Sequence, residues 1–318
     1  MSSPLFPTYE DYLQALREGR IYVIPPEIAQ HYKMFGRVPL VSAVSAKAGR
    51  TKGRVQQATA VSDPDSLNGL HYWIDATDSR AFGGSLTPVP GRGGADITGL
   101  TARSGEISSA INLQSPGTRT NPAWTEGGLK ARHPGITFDG SGDLLSDSNG
   151  TETSIAAGDF EWYSVVKMSS GVSQFGTFIR WMGMNWQMET NVATLKVTGS
   201  FGSHTFPNRI NSLSDDAQIL GVIRRNNKVF FTSSGTRNTT QPGILGRTNT
   251  GGSDVVESSD KLILGDSTDS NLAVDPMPFK FAEMVCYKGQ LTNTERRGLF
   301  DYFKSHHTIS SVTTPSIR

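Results

Sequence analysis

FKFAEMVCYKGQLTNTERRGLFDYFKSHH, residues 279–307, reads as a buried strand, a turn and a closing helix. Phe281–Tyr287 is apolar except for Glu283 and is rich in aromatic and β-branched residues, and Lys288-Gly289 follows as a turn. Thr292-Asn293-Thr294-Glu295 has the form of a capping box. In that arrangement the Thr292 hydroxyl accepts the backbone N–H three residues on, while Glu295 reaches back to the cap. Beyond it Leu299, Tyr302 and Phe303 recur at helical spacing and predict one apolar stripe, so the helix must pack on something.

A chain of 318 residues, 36% of them hydrophobic, can bury a core, and its 34 glycines with many Ser, Thr and Asn predict frequent turns. That composition favours a β-sandwich over a helical bundle. The formal charge of +1 gives no polyanion-binding character. Cys286 is the single cysteine, so no intrachain disulfide forms, and its place in the strand predicts a buried, inert thiol. There is no signal-like apolar segment and no run of about 18 apolar residues. The expectation is a protein made in a reducing cytoplasm and not inserted in a membrane.

Residues 1–66 differ from the rest. Tyr9–Arg20 predicts a short helix with Tyr12 and Leu16 on its apolar face, and Pro25-Pro26 ends the extended piece after it. Between Glu27 and Asp63 there is no acidic residue, while Lys33, Arg37, Lys47, Arg50, Lys52 and Arg54 accumulate. Such a stretch buries too little apolar surface to fold alone. It reads either as an arm that orders on another surface or as a solvated leader. Few aromatics interleave with its charges, so nucleic-acid binding is not expected.

Strand signals come next in order. Leu70–Ala76, LHYWIDA, is followed by Asp78; Ile136–Leu145 reads ITFDGSGDLL; Phe160–Met168 is apolar on both parities. FIRWMGMNWQM, 178–188, reads as one alternating strand with Met182, Met184 and Trp186 on one side and Trp181, Asn185 and Gln187 on the other. TLKVTG, QILGVIR, KVFFT and KLILG complete the set, whereas Phe82–Thr125 gives weak signals only. The WIDA-x-x-D opening, the FDGSGD turn, the hairpin at Arg225-Asn226-Asn227 and the close carried by Ala282-Glu283, Tyr287, Leu291-Thr292, Glu295-Arg296 and Tyr302-Phe303 resemble one family. It is the concanavalin A-like, laminin-G-like jelly rolls found in virion proteins of tailed phages and in secreted bacterial proteins. The resemblance spans about residues 70–309. It implies a mainly β, antiparallel two-sheet sandwich with a short C-terminal helix over 67–309; outside it, composition alone gives the N-terminal arm, 1–66, and a polar tail, 310–318, that reads as flexible.

Catalytic signals are sparse. An E-x-D-x-E triplet, which would set two carboxyls at the spacing of a retaining glycosidase, is absent. Glu283 stands alone on its strand and reads as a hydrogen-bonded carboxylate tying strand to loop. His306-His307 have no cysteine or paired acid at ligand spacing, so zinc is not expected there. No G-x-S-x-G, Walker A or Rossmann fingerprint occurs. Calcium is the one cofactor with candidate ligands: Asp139, Asp143 and Asp147 around one turn, and Asp266, Asp269 and Asp275 around another. Ordinary turn chemistry accounts for the same residues. For a glycan, Trp181 with Asn185 and Gln187, and separately Trp124, offer an aromatic face with polar neighbours, against the alternative that these aromatics are core.

The resemblance thus implies a non-enzymatic virion structural protein on the particle surface, decorating a capsid or tail. Residues 1–66 would be its anchor on other virion proteins, through Tyr12, Leu16, Lys33, Arg37, Lys47, Arg50 and Arg54. The sandwich would meet host-surface glycans, and the protein would be a homo-oligomer on the particle. The alternatives are a glycan-active hydrolase and an adhesin-type carbohydrate-binding module.

Overall fold

The computed structural model describes residues 61–317 apart from 62, 79–81, 83–87, 90–93, 107, 109–110, 131–132, 148–157, 169–175, 182–183, 190–193, 200–201, 207–216, 235–242, 250–260, 269–274 and 311. The chain divides into two units, Met1–Gln56 and Gln57–Arg318, and all of the described residues belong to the second. The proposed anchor residues Tyr12, Leu16, Lys33, Arg37, Lys47, Arg50 and Arg54 lie outside the described residues.

A single 3₁₀ turn, Pro64–Ser66, leads into β1 (Leu70–Asp75), and four short strands come after it: β2 (Pro88–Val89), β3 (Gly94–Asp96), β4 (Gly99–Thr101) and β5 (Asn112–Gln114). Next come β6 (Ala123–Lys130), β7 (His133–Asp139), β8 (Leu145–Asp147), β9 (Phe160–Met168), β10 (Gly176–Trp181), β11 (Met184–Glu189), β12 (Thr194–Gly199) and β13 (Gly202–Phe206). The chain closes with β14 (Gln218–Arg225), β15 (Lys228–Ser233), β16 (Ile244–Asn249), β17 (Ile263–Leu264), β18 (Pro278–Lys288) and the helix α1 (Asn293–His306).

Among the described residues these strands form two antiparallel sheets, as expected for a jelly-roll-like sandwich. One runs β16-β15-β14-β9-β18-β7-β6-β3-β2, with β1 also on β18; the other runs β13-β12-β11-β10-β17-β8-β5-β4. β18 is the axis of the first. Along one side it pairs with β9; along the other its first half pairs with β7 and its second half with β1. Where the partner changes, the register slips between Phe281 and Glu283. This bulge reverses the parity of the strand. Phe279 and Phe281 before it, and Met284 and Cys286 after it, all enter the core between the sheets. Ala282, Val285 and Tyr287 face the other way.

That other face is covered by α1. Both halves of the capping box form: Glu295 N donates to Thr292 Oγ1 (3.1 Å) and Thr292 N to Glu295 Oε2 (2.7 Å). Leu299, Phe300 and Phe303 are fully buried against Tyr163, Val165 and Val285. Each such side chain contributes roughly 1.5–3 kcal/mol by leaving water. Tyr302, assigned to the stripe by spacing, is only half-buried, and Phe300 takes the deeper place.

The helix is also fixed by a buried ion pair. Arg296 reaches Glu161 of β9 through Nε (2.9 Å to Oε2) and Nη2, and Nη2 also donates to Leu291 O at 2.9 Å. Glu161 accepts further from the Tyr163 hydroxyl (2.6 Å) and the Leu291 N–H (3.0 Å). β9 is buried on both faces as predicted, and its buried Glu161 is answered by the helix.

Three expectations are corrected. The stretch 178–188 is not one strand: the chain reverses between Trp181 and Met184, which pair with each other, and a register shift falls between Thr177 and Ile179. Trp181, Met184 and Trp186 therefore all join the core, whereas continuous alternation would have turned Trp181 outward. The tail is held at described positions: Thr313 N donates to Ser234 O (3.0 Å) and Ile317 is 3% exposed in the cluster beneath α1. At the other end, Tyr287 donates its hydroxyl proton to Pro64 O (3.2 Å), and Ser104 Oγ donates to Asp65 (2.5 Å), so residues 64–66 sit on the sandwich.

Candidate functional site

The richest polar cluster among the described residues lies where β1, the bulge of β18 and the end of α1 meet. Alternation along β1 turns Trp73 and Asp75 to the helix side, and Asp75 stands directly opposite Glu283. The bulge turns Glu283 to the same side. On α1, Tyr302 and His306 are four apart and share a face, and His307 caps the helix. Their rings stack, Tyr302 on His306 at 5.2 Å between centroids.

Glu283 is fully buried and bound on both oxygens. Oε1 accepts from Trp73 Nε1 (2.6 Å) and the Tyr302 hydroxyl (3.2 Å), and Oε2 lies 2.5 Å from His307 Nε2. Burial, with Asp75 nearby, pushes the Glu283 carboxyl up to about 8. Burial also holds His307 down to about 4. The two groups thus share a short contact out of water, with burial raising the carboxyl and lowering the imidazole. His307 Nδ1 is buried without a partner. Burial and the neighbouring His307 also lower His306, and burial and Glu283 raise the Tyr302 hydroxyl.

From this buried centre the cluster reaches solvent. Thr77 donates to Asp75 Oδ1 through Oγ1 (2.5 Å) and its backbone N–H (3.0 Å), and Thr77 Oγ1 is 3.2 Å from His306 Nε2. Arg103 donates to Asp75 Oδ2 at 3.0 Å, approaches Asp78 at 3.5 Å and lies 4.2 Å over the Trp73 ring. The side chain of Arg103 is 35% exposed, and His306 is exposed. One ligand atom from each of Glu283, His306 and His307 lies within 4.8 Å of the others. Sequence reasoning weighed Glu283 and the His306-His307 pair separately. Nothing in one sequence pairs residue 75 with 283 or brings 283 to 307; only the strand partners and the helix end do.

The residues singled out from sequence fall elsewhere. Trp181 is fully buried, stacked on Trp162 at 4.9 Å, and donates its indole N–H to the Tyr72 hydroxyl (2.8 Å). Gln187 is 5% exposed and donates to Thr177 Oγ1 (3.1 Å), while Asn185 is half-buried. This trio presents no open aromatic face, because the hairpin turns Trp181 inward. Trp124 lies in β6 rather than a loop, half-buried beside Phe82, with its indole N–H on Ala76 O at 2.9 Å.

Of the calcium candidates, Asp139 is exposed and accepts from the Ser141 N–H and hydroxyl, both at 2.7 Å, in an Asx turn. Asp143 is buried and accepts from Asp139 N (2.8 Å); burial pushes its carboxyl up to about 6. Asp147 is buried in β8. Asp266 binds Arg119 (2.8 Å) and the N–H groups of Ser267 (2.6 Å) and Asp275 (3.0 Å). A guanidinium thus stands beside Asp266. Asp269 lies outside the described residues.

No protein-family model matches the chain, and no curated protein matches it. Solved structures do. An arabinofuranosidase complexed with arabinofuranosyl-α-1,2-xylobiose is 11% identical with a TM-score of 0.47, covering 79% of this chain and 61% of its own. A Trypanosoma rangeli sialidase in complex with sialic acid is 9% identical with a TM-score of 0.42, covering 75% and 33%. Domain 4 of a GH43 extracellular arabinanase from Geobacillus stearothermophilus, in complex with arabinotriose, is 14% identical with a TM-score of 0.41, covering 70% and 94%. The chain thus spans about a third of the sialidase and three fifths of the arabinofuranosidase. These are likenesses of fold. The expectation of a non-enzymatic protein is not upheld, since the solved structures matched include a sialidase and an arabinofuranosidase.

Proposed function

We propose that this chain is a glycan-directed protein of a tailed-phage particle, and that it meets carbohydrate at the end of the sandwich framed by Thr77, Asp78, Arg103 and His306. The observation that carries the proposal is convergence. Acidic, guanidinium, hydroxyl and imidazole groups reach the surface together there, fixed from below by the buried Asp75 and Glu283. Adjacent sugar hydroxyls need this mixture of fixed donors and acceptors. The particle assignment is supported by the resemblance of the WIDA opening and the FDGSGD turn to virion sandwiches. In this proposal residues 1–66 attach the protein to another virion protein.

One observation favours a hydrolase. Asp75 and Glu283 face each other on paired strands, and burial raises the Glu283 carboxyl, the direction in which a general acid is tuned. A substrate oxygen would then take the place of His307 on Oε2.

The test is a glycan array and a polysaccharide turnover screen on the full chain. Binding or product should appear for at least one glycan class and fall at least about tenfold in Arg103→Ala, with the far-ultraviolet spectrum unchanged. Product lost in Glu283→Gln would select the hydrolase. No engagement with any glycan, or engagement indifferent to Arg103→Ala, would overturn the proposal. Purified particles lacking the protein would remove its virion part.

A further inference from the structure

We propose that Glu283, His306 and His307 form a binding site for a divalent transition-metal ion, with zinc the ion whose preferences they fit. Two imidazole nitrogens and one carboxylate oxygen are a borderline donor set of the kind zinc takes, whereas calcium requires six to eight oxygens. One ligand atom from each residue already lies within 4.8 Å of the others. Zinc–ligand bonds of about 2.0–2.2 Å in a tetrahedral site place ligand atoms about 3.3 Å apart. The 2.5 Å contact between Glu283 Oε2 and His307 Nε2 must therefore open slightly, and the imidazole of His306 must swing inward. His306 is exposed and ends α1, so it is the ligand freest to move.

The surroundings are those of a supported site. Trp73 and Tyr302 both donate to Oε1 of Glu283, which orients the carboxylate and leaves Oε2 for an ion. Thr77, itself held on Asp75, stands beside the His306 ring as its outer partner. Outer groups of this type fix ligand orientation in metal sites. Asp75 and Asp78 both lie against Arg103, and Glu283 stands opposite Asp75 on the paired strand, so the surroundings of the site are acidic. The inference stands whether or not the chain engages glycans.

The full chain, stripped with a chelator and dialysed, is titrated with Zn²⁺ by calorimetry and with Co²⁺ by visible absorption. One ion per chain is expected, with Co²⁺ bands of a tetrahedral nitrogen and oxygen site and a higher melting temperature. His306→Ala should keep the metal-free melting temperature and weaken Zn²⁺ binding by more than about 100-fold; Thr77→Val should weaken it by about tenfold. His133→Ala, which changes a histidine outside the set, should bind as the unaltered chain does. If His306→Ala disturbs the fold, His306→Gln, which keeps the side chain's bulk, is held to the same criterion. Absence of a stoichiometric ion, or affinity unchanged when His306 is replaced, overturns the proposal.

Discussion

Replacing Arg296 by alanine tests how the closing helix is held. Arg296 is 1% exposed and Glu161 fully buried, so the pair is shielded from water and salt. Without the guanidinium, Glu161 keeps only the Tyr163 hydroxyl and the Leu291 N–H. Removing one partner of a buried pair costs about 3–5 kcal/mol, because the surviving charge has no counter-ion. In a unit of this size each kcal/mol shifts the melting temperature by about 2–4 °C, so Arg296→Ala should melt roughly 6–20 °C lower. The double variant Glu161→Gln, Arg296→Met removes both charges while leaving an amide oxygen to accept from the Leu291 N–H and an amide NH2 to donate to the Tyr163 hydroxyl, and it should recover at least half of the loss. The assay is thermal unfolding at pH 7 in about 0.1 M and about 1 M NaCl, and the deficit should be the same in both. A deficit below about 1 kcal/mol, one that disappears in high salt, or a double variant as unstable as the single one would refute the reasoning.

Further predictions concern the core and pH. Trp181→Ala should cost about 3–5 kcal/mol in urea unfolding, since it removes a core indole stacked on Trp162 and the donor to Tyr72; a cost below about 1 kcal/mol would place Trp181 on the surface after all. Asp143 is raised from 3.8 to about 6, so between those values the folded state holds more protons than the unfolded one. Stability should therefore fall as pH rises from about 4 to 6, by at most about 3 kcal/mol from this group, and Asp143→Asn should flatten that slope in a pH series of melts. Asn226 and Asn227 both adopt positive φ, 49° and 60°, in the two-residue turn between β14 and β15. Asn227→Gly should thus be tolerated and Asn227→Val should cost about 1–2 kcal/mol in the same unfolding assay.

Much of the fold was legible because it rests on local chemistry. The capping box at Thr292, the turn at Asp139-Gly140 and the paired hydrophobic parities of β9 each report a conformation through a few adjacent residues. What was not legible depended on where the chain reverses or slips. No Asn-Gly or Gly-Gly signal marks the reversal after Trp181, so an alternating run passed for one strand and put Trp181 on the wrong side. The bulge at Ala282 is equally silent, yet it brings Glu283 under the helix. The polar cluster was hidden for a related reason: its members come from residues 73–78, 103, 283 and 302–307, joined by sheet order and not by spacing. The tail looked free because it is polar on average, while its anchors are single residues such as Ile317.

Hydrogen–deuterium exchange of the full chain, with and without a glycan that scores on the array, tests the proposed location most directly. The account predicts slowed exchange confined to residues 72–78, 102–106 and 302–307, the segments that carry Thr77, Asp78, Arg103 and His306. Protection centred instead on 185–187 or 119–125, with those segments unchanged, would contradict it.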